Sequence, residues 1–314
     1  MRHPELPIVV LAGPTGVGKS GLGLDLAERF GFEIVSADSR QIYRQLAIGT
    51  AKPTPAERAR VRHHLVDYVD IDVPYSVARF REDGDIALAE IAARGTGALV
   101  VGGTQHYVQA LVDRIEPPQV PPDPELRARL EREAAESGAD ALHARLAAVD
   151  PASASTIPAT NVRRVIRALE VTEVTGRPFS EVSRRRGDPL PALRLALTMP
   201  RDALYARADG RVDAMLAAGW LDEIRAVLTA GYDPSLPALS STGYRELTGV
   251  LLGTTTLAEA VQRVKWATHA YIRRQYMWLR RHGGYRWIDQ GPAALDEVAA
   301  ALERFLDSTP LSRC

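Results

Sequence analysis

The sequence predicts an α/β protein: a parallel sheet flanked by helices, carrying an inserted all-helical domain. Three observations predict it. A short continuous apolar run at residues 7–13 (Pro-Ile-Val-Val-Leu-Ala-Gly) leads into glycine-rich sequence and then a helical pattern at Leu22, Leu24, Leu26 and Ala27. Further apolar runs at 34–38 and 97–104 alternate with a helix-like segment at 77–92, and strands alternating with helices imply a parallel sheet. A proline cluster (Pro117, Pro118, Pro121, Pro122, Pro124) then opens a charged, helical stretch.

The 314 residues exceed a usual single domain, so the chain divides into a core at 1–120 and 190–314 and a helical insertion at 121–189. Residues 193–199 read as a return strand of the sheet, and helices dominate from Arg201 to Arg281.

Composition narrows the class. Hydrophobic residues are 46% and charged residues 25%, and no run of eighteen apolar residues could cross a bilayer, so no membrane role is expected. The first residues carry no signal-peptide pattern, and one cysteine, Cys314, cannot form an internal disulfide; a cytoplasmic location is expected. Nothing demands an obligate dimer, so a monomer is expected. The formal net charge of +0 gives no basic footprint overall, and only Lys19, Lys52 and Lys265 among the 39 basic residues are lysines. Arginine clustering is therefore the signal to follow.

Gly13-Pro14-Thr15-Gly16-Val17-Gly18-Lys19-Ser20 has the spacing of a P-loop and lies between a predicted strand and a predicted helix. Its glycines let backbone N–H groups turn toward phosphate oxygens, the helix N-terminus adds positive potential, Lys19 supplies a charge and Ser20 can ligate Mg²⁺. The expected fold is therefore P-loop NTPase-like, and the expected ligand is a di- or triphosphate. A nucleotide-hydrolysing member usually ends an apolar strand in a metal-holding carboxylate. Here the run Leu99-Val100-Val101 ends in Gly102-Gly103-Thr104, which lowers the motor and GTPase readings.

Asp38 ends the second predicted strand, nineteen residues after Lys19, at the sheet edge that borders the phosphate loop. It could serve the reacting centre, or Asp38 or Ser39 could simply be the N-cap of a short helix that follows. The next residues, Ser39-Arg40-Gln41-Ile42-Tyr43, include groups suited to reading a base edge.

From Val261 to Trp287 there is no acidic residue, while Arg263, Lys265, Arg273, Arg274, Arg280, Arg281 and Arg286 all occur. At helical spacing Tyr271, Arg274, Trp278 and Arg281 share a face, a pattern suited to RNA backbone and stacked bases. Arg163, Arg164, Arg167 and Arg184 to Arg186 add clusters in the insertion. Trp266 and Trp278 taken singly read as packing residues. His63-His64 reads as loop packing or capping, since no spaced third ligand accompanies it.

Gly-Pro-Thr-Gly-Val-Gly-Lys-Ser at 13–20, Asp38-Ser39-Arg40-Gln41-Ile42-Tyr43 and Ile48-Gly49-Thr50-Ala51-Lys52-Pro53 resemble the transfer RNA dimethylallyltransferases in order and spacing. The pattern continues through His63-His64-Leu65-Val66-Asp67, Tyr75-Ser76-Val77-Ala78-Arg79-Phe80, Val101-Gly102-Gly103-Thr104, Arg167-Ala168-Leu169-Glu170-Val171, Gly243-Tyr244-Arg245-Glu246 and Arg274-Gln275-Tyr276-Met277-Trp278. The P-loop alone is generic; the series is specific.

The resemblance implies transfer of a dimethylallyl group from dimethylallyl diphosphate to N6 of the adenosine immediately 3′ of the anticodon, with Mg²⁺. It implies that Thr15 to Ser20 hold the diphosphate and its metal, that Asp38 is the general base, and that Thr104 and Arg211 lie beside the leaving group. It places transfer RNA against Asp38, Ser39, Arg40, Gln41, Thr104, Arg127, Arg163, Arg164, Val165, Ile166, Arg167, Ser240, Ser241, Thr242, Gly243, Tyr244, Arg245, Arg273, Arg274, Gln275, Trp278 and Arg280. The sequence departs from the family pattern at Leu46-Ala47, His106-Tyr107 and Pro158-Ala159-Thr160-Asn161, on the RNA side rather than the chemical one.

The chemistry suits these groups. Adenine's exocyclic amine is a weak nucleophile because its lone pair is delocalised, so attack on an allylic carbon gains from a carboxylate that takes the proton, worth roughly 10² to 10⁴ in rate. At the other end diphosphate departs, and Lys19, the loop amides, Mg²⁺ and Arg211 would stabilise the developing charge. The adenine must first swing out of its stack, and Tyr43 or Tyr107 would stack on it or lie in the core. Two other enzymes share parts of this pattern, a P-loop kinase of a small metabolite and an adenylate isopentenyltransferase. A non-enzymatic adaptor switched by nucleotide is the remaining reading.

Overall fold

Residues Ile8–Ala12 form the first strand, β1, and all five side chains are buried. A continuous apolar strand of this kind is stable only when both faces of its sheet are covered. In the computed structural model, which describes residues 6–183 and 187–308, helices cover both faces. Arg184 to Arg186 and Cys314 lie outside the described residues.

In chain order β1 is followed by α1 (Lys19–Phe30), β2 (Glu33–Ser36), α2 (Pro55–Arg60), β3 (His63–His64), α3 (Val77–Ala93), β4 (Ala98–Val101) and α4 (Gln105–Leu111). The helical stretch comprises α5 (Pro124–Ser137), α6 (Ala139–Val149), α7 (Pro151–Thr156), α8 (Val162–Thr175) and α9 (Phe179–Val182). The chain then returns as β5 (Ala192–Thr198), α10 (Arg201–Ala217), α11 (Trp220–Thr229), α12 (Tyr244–Leu251), α13 (Leu257–His282), β6 (Arg286–Asp289) and α14 (Ala294–Ser308).

The six strands form one sheet in the order β3-β2-β4-β1-β5-β6, and every pairing is parallel. β1 lies between β4 and β5, with Leu11 opposite both Val101 and Leu195. The loops after β1, β2 and β4 therefore leave the same edge of the sheet, where an open α/β sheet binds its ligand.

Two compact units are present, 1–112 with 190–314, and 113–189. The first is built on the sheet. In the second, Leu126, Leu130, Leu142, Leu146, Ile157, Val165, Ile166, Ala168 and Leu169 make a separate apolar core. At its centre Glu170, fully buried, accepts hydrogen bonds from Arg127 Nε at 2.8 Å and Nη2 at 2.9 Å, from Arg167 Nη1 at 2.6 Å and from Asp123 N–H at 2.7 Å. Four donors around one carboxylate offset the cost of burying it.

Three elements differ from the sequence reading. His63-His64 forms the edge strand β3 rather than a loop, and His64 Nε2 lies 2.7 Å from Glu33 Oε2. β6 and α14 extend the sheet unit beyond Arg281, where no strand was expected. No helix among the described residues is long and apolar enough to cross a membrane.

Candidate active site

The loop after β1 turns on three glycines with positive φ: Gly13 at 149°, Gly16 at 85° and Gly18 at 104°. Residues with a Cβ rarely adopt these conformations, so the glycines are what let the loop close into a cradle of amides. α1 begins at Lys19, and its first-turn N–H groups face the loop without a side-chain cap. Lys19 donates its ammonium to the Pro14 carbonyl at 2.8 Å. Burial and the nearby Arg211 guanidinium push that ammonium down to about 7, and the Asp38 carboxylate works against them.

β2 ends at Ser36, and Asp38 follows in the loop. Asp38 Oδ1 accepts the N–H groups of Arg40 at 2.8 Å and Gln41 at 3.3 Å, so the carboxylate caps a turn, and the short helix expected after it does not form. It reaches further as well. The same carboxylate acts electrostatically on Lys19, Arg211, Tyr107 and Tyr271, which sets it in one cluster with the phosphate loop.

The loop after β4 completes the edge. A Cβ on Gly102 would stand 2.1 Å from the Ala37 carbonyl oxygen, so only glycine allows the β4 loop to lie against the β2 loop. Thr104 N–H donates to Ala37 C=O at 3.1 Å, and the Thr104 hydroxyl accepts Ser39 N–H at 3.1 Å. β4 ends in Val101-Gly102-Gly103 and offers no carboxylate there.

α10 and α13 supply the other wall. Leu204 and Ala208 pack over Gly16, and Arg207 Nη2 lies 3.4 Å from where a Gly18 Cβ would be. Arg211, one turn further along α10, is held below the usual guanidinium range by burial and by Arg207, against Asp38. Tyr271 of α13 is pushed up to about 12 by burial and by Asp38. Arg207 and Tyr271 were not assigned to this site by sequence. Their spacing from Arg211 and Gln275, four residues in each case, was the available signal.

Several residues that the resemblance places against RNA are buried here. Val165, Ile166, Tyr244 and Gln275 are at most 5% exposed and pack inward. Tyr43 and Tyr107 are likewise core residues, Tyr107 stacking on Phe80 at 3.8 Å. Conversely Trp266, read as packing, is 63% exposed.

Other polar groups hold loops. Arg40 Nη1 donates to Pro237 C=O at 3.0 Å, and Gln41 donates to Thr50 and Ala51 carbonyls at 3.2 and 3.0 Å. Arg127 and Arg167 are engaged by Glu170. Ser240 and Ser241 cap the carbonyls of Pro237 and Ala238, Thr242 is half-buried, and Gly243 N–H donates to Glu246 at 2.7 Å. Arg163, Arg164, Arg245, Arg273, Arg274 and Arg280 are exposed, and Trp278 stacks on His282 at 3.9 Å.

The family-pattern departures are accommodated locally. Leu46 is fully buried, Ala47 N–H donates to Glu223 at 2.7 Å, and Asn161 caps α8 by accepting Arg164 N–H.

The model of the IPP transferase family matches residues 41–282, which is more than half of the chain. The chain belongs to the IPP transferase family. A second model, isopentenyl transferase, matches residues 6–72, the segment holding the phosphate loop and Asp38. Among relatives, the tRNA dimethylallyltransferase of Roseiflexus castenholzii is 52% identical over 305 residues, covering 97% of this chain and all of that protein. That of Roseiflexus sp. (strain RS-1) is 49% identical, covering 95% of this chain and 98% of the relative. Among solved structures, the tRNA isopentenylpyrophosphate transferase of Bacillus halodurans is 34% identical with a TM-score of 0.71, covering 96% of each chain. A eukaryotic dimethylallyltransferase acting on tRNA is 28% identical with a TM-score of 0.78, covering 98% of this chain and 81% of the other. As a member of the IPP transferase family the chain is a prenyl-transferring enzyme.

Proposed function

We propose that this chain transfers the dimethylallyl group of dimethylallyl diphosphate to N6 of the adenosine immediately 3′ of the anticodon in transfer RNA, releasing diphosphate. One observation carries the reading: the Asp38 carboxylate shares a charge cluster with Lys19 and Arg211 at the mouth of the phosphate loop, whereas β4 ends without a carboxylate.

Asp38 is the base. Its Oδ1 is fixed by two backbone amides, which orients the carboxylate before substrate arrives. As the N6 nitrogen bonds to the allylic carbon, the C–O bond to diphosphate breaks and the amine proton passes to Asp38. The leaving oxygen is met by the loop amides after Thr15, by Lys19 and by Arg211, groups already in place before charge develops. Thr104, whose hydroxyl accepts the Ser39 N–H, would stand beside the same bond.

Mg²⁺ fits this donor set as a metal shared with substrate. No group of three or more His, Cys, Asp or Glu side chains among the described residues forms a metal cage. Ser20, exposed at the start of α1, would hold it together with diphosphate oxygens and water, the usual manner for this ion. When bound it supplies charge neutralisation of the diphosphate. The exposed arginines of α13, with Arg245, Arg163 and Arg164, would meet the RNA backbone.

The match of residues 6–72 to isopentenyl transferase keeps one second reading, transfer to free AMP. Incubation with labelled dimethylallyl diphosphate separates them: label is expected in transfer RNA, with none in AMP and no phosphate released from ATP. Label in AMP alone would overturn the RNA assignment, and phosphoryl transfer from ATP would return the protein to the kinase reading.

A further inference from the structure

The inward face of α13 is a buried stripe of Val264, Thr268, Ile272, Gln275 and Leu279. Spacings of three and four residues are what a packed helix face requires. An amide in such a stripe is costly unless both its ends are bonded. Gln275 is 3% exposed, and both ends are bonded, to backbone groups of two different loops. Its Oε1 accepts Thr15 N–H at 2.8 Å, and its Nε2 donates to Gly103 C=O at 3.1 Å.

The place of these bonds matters. β1 and β4 run side by side through Leu11 and Val101, and the last backbone bond between them is a long one, Gly102 N–H to Leu11 C=O at 3.4 Å. Beyond it the two chains diverge into the phosphate cradle and the Thr104 loop. The Gln275 amide bridges the two loops past that bond, from Thr15 to Gly103. Gly103 is shaped to admit it, since a Cβ there would lie 2.4 Å from Nε2. The connection continues: Gly103 precedes Thr104, Thr104 accepts Ser39 N–H, and Ser39 follows Asp38.

We propose that Gln275 is a positioning residue for prenyl transfer, a side-chain rung that sets the distance between the diphosphate cradle and the loops carrying Thr104 and Asp38. This rests on the prenyl-transfer reading above and assigns to Gln275 a role other than RNA contact. Thr15 N–H is held by the clamp, so the amides that meet diphosphate are those after it. The outward face of the same helix carries Arg273, Met277 and Arg280, which leaves the RNA-facing side chains untouched by a change at Gln275.

Gln275→Met keeps length and volume but deletes both bonds. Binding of inorganic pyrophosphate with Mg²⁺ is expected to weaken about tenfold, as the loss of two neutral hydrogen bonds implies. Single-turnover transfer at saturating substrates is expected to fall roughly 10²-fold, the cost of misplacing reacting groups by about 1 Å. Affinity for an anticodon stem-loop RNA is expected to stay within about twofold, and this split separates positioning from RNA contact. Gln275→Asn keeps an amide but cannot span both loops, and gives the same pattern if the Met variant does not fold. Loss of RNA affinity with pyrophosphate binding intact would overturn the proposal, as would two folded variants that match the parent in all three measurements. If the parent chain itself fails to prenylate RNA, the functional reading fails, while the pyrophosphate arm still judges the clamp.

Discussion

The Ser39 amide donates to the Thr104 hydroxyl at 3.1 Å, so a side chain from the loop after β4 fixes the loop after β2 one residue beyond Asp38. Thr104→Val preserves shape and removes the acceptor. It is expected to lower the urea-derived stability by about 1 kcal/mol and single-turnover transfer roughly tenfold. Thr104→Ser, which keeps the hydroxyl, is expected to stay near the parent in both.

Trp220 fills the space between two glycines: a Cβ on Gly49 or on Gly243 would lie 2.0 Å from its indole. Gly49→Ala is expected to destabilise by about 1–3 kcal/mol through overpacking. In a Trp220→Leu background the same change is expected to cost less, a coupling that denaturant midpoints of the double-mutant cycle would measure. Gly102→Ala meets the Ala37 backbone carbonyl instead, so no neighbouring side-chain change is expected to relieve it.

Lys19 binds its proton weakly because burial, then Arg211, oppose the charge. Between about 7 and 10.5 the unfolded chain holds more protons than the folded one, so this residue's contribution to stability rises with pH across that window and is most unfavourable below it. Bound pyrophosphate would restore the ammonium. Calorimetry in buffers of differing ionisation heat is expected to show proton uptake on pyrophosphate binding above about pH 7. Arg211→Ala, which removes the second cause, is expected to move that uptake to higher pH.

In the helical unit, burial raises the Glu170 carboxyl, but the bonds from Arg127, Arg167 and Asp123 N–H outweigh it and hold it below the usual range. Its stabilisation is present above the ordinary carboxylate pKa and is lost as pH falls through the depressed folded value. Glu170→Ala takes from two partly exposed arginines their buried carboxylate partner, and is expected to cost about 1–3 kcal/mol, read as a lower urea midpoint at neutral pH. The difference from the parent should shrink in acid.

The five arginines of α13, Arg263, Arg273, Arg274, Arg280 and Arg281, are all exposed. Each of Arg273→Gln and Arg280→Gln is expected to weaken RNA binding and to reduce the slope of log affinity against log salt by about 1. Binding isotherms between low and moderate salt check this; an unchanged slope would remove that side chain from the phosphate footprint.

Much of this was legible in the sequence because it rests on local rules. The strand-loop-helix around Lys19 follows from an apolar run, glycines at fixed offsets and a helical period, and it appears as β1, the loop and α1. β6 was not legible: Arg286-Trp287-Ile288-Asp289 buries only Ile288, so it lacks the continuous apolar run of β1. Asp38 could be placed at a strand end, but its link to Arg211 depends on α10 crossing the loop far along the chain. Gln275 shows the limit most plainly. In sequence it lies among arginines and reads as RNA-facing, whereas a rotation of half a turn within the helix places it against Thr15 and Gly103.

The most direct test of the account is single-turnover transfer by Asp38→Asn. Asparagine retains an Oδ1 for the Arg40 and Gln41 amides, so the turn should persist and both substrates should bind, while the base is gone. The account predicts a rate at least about 10²-fold below the parent while pyrophosphate and RNA both still bind. A rate equal to the parent's, with both substrates saturating, would contradict it.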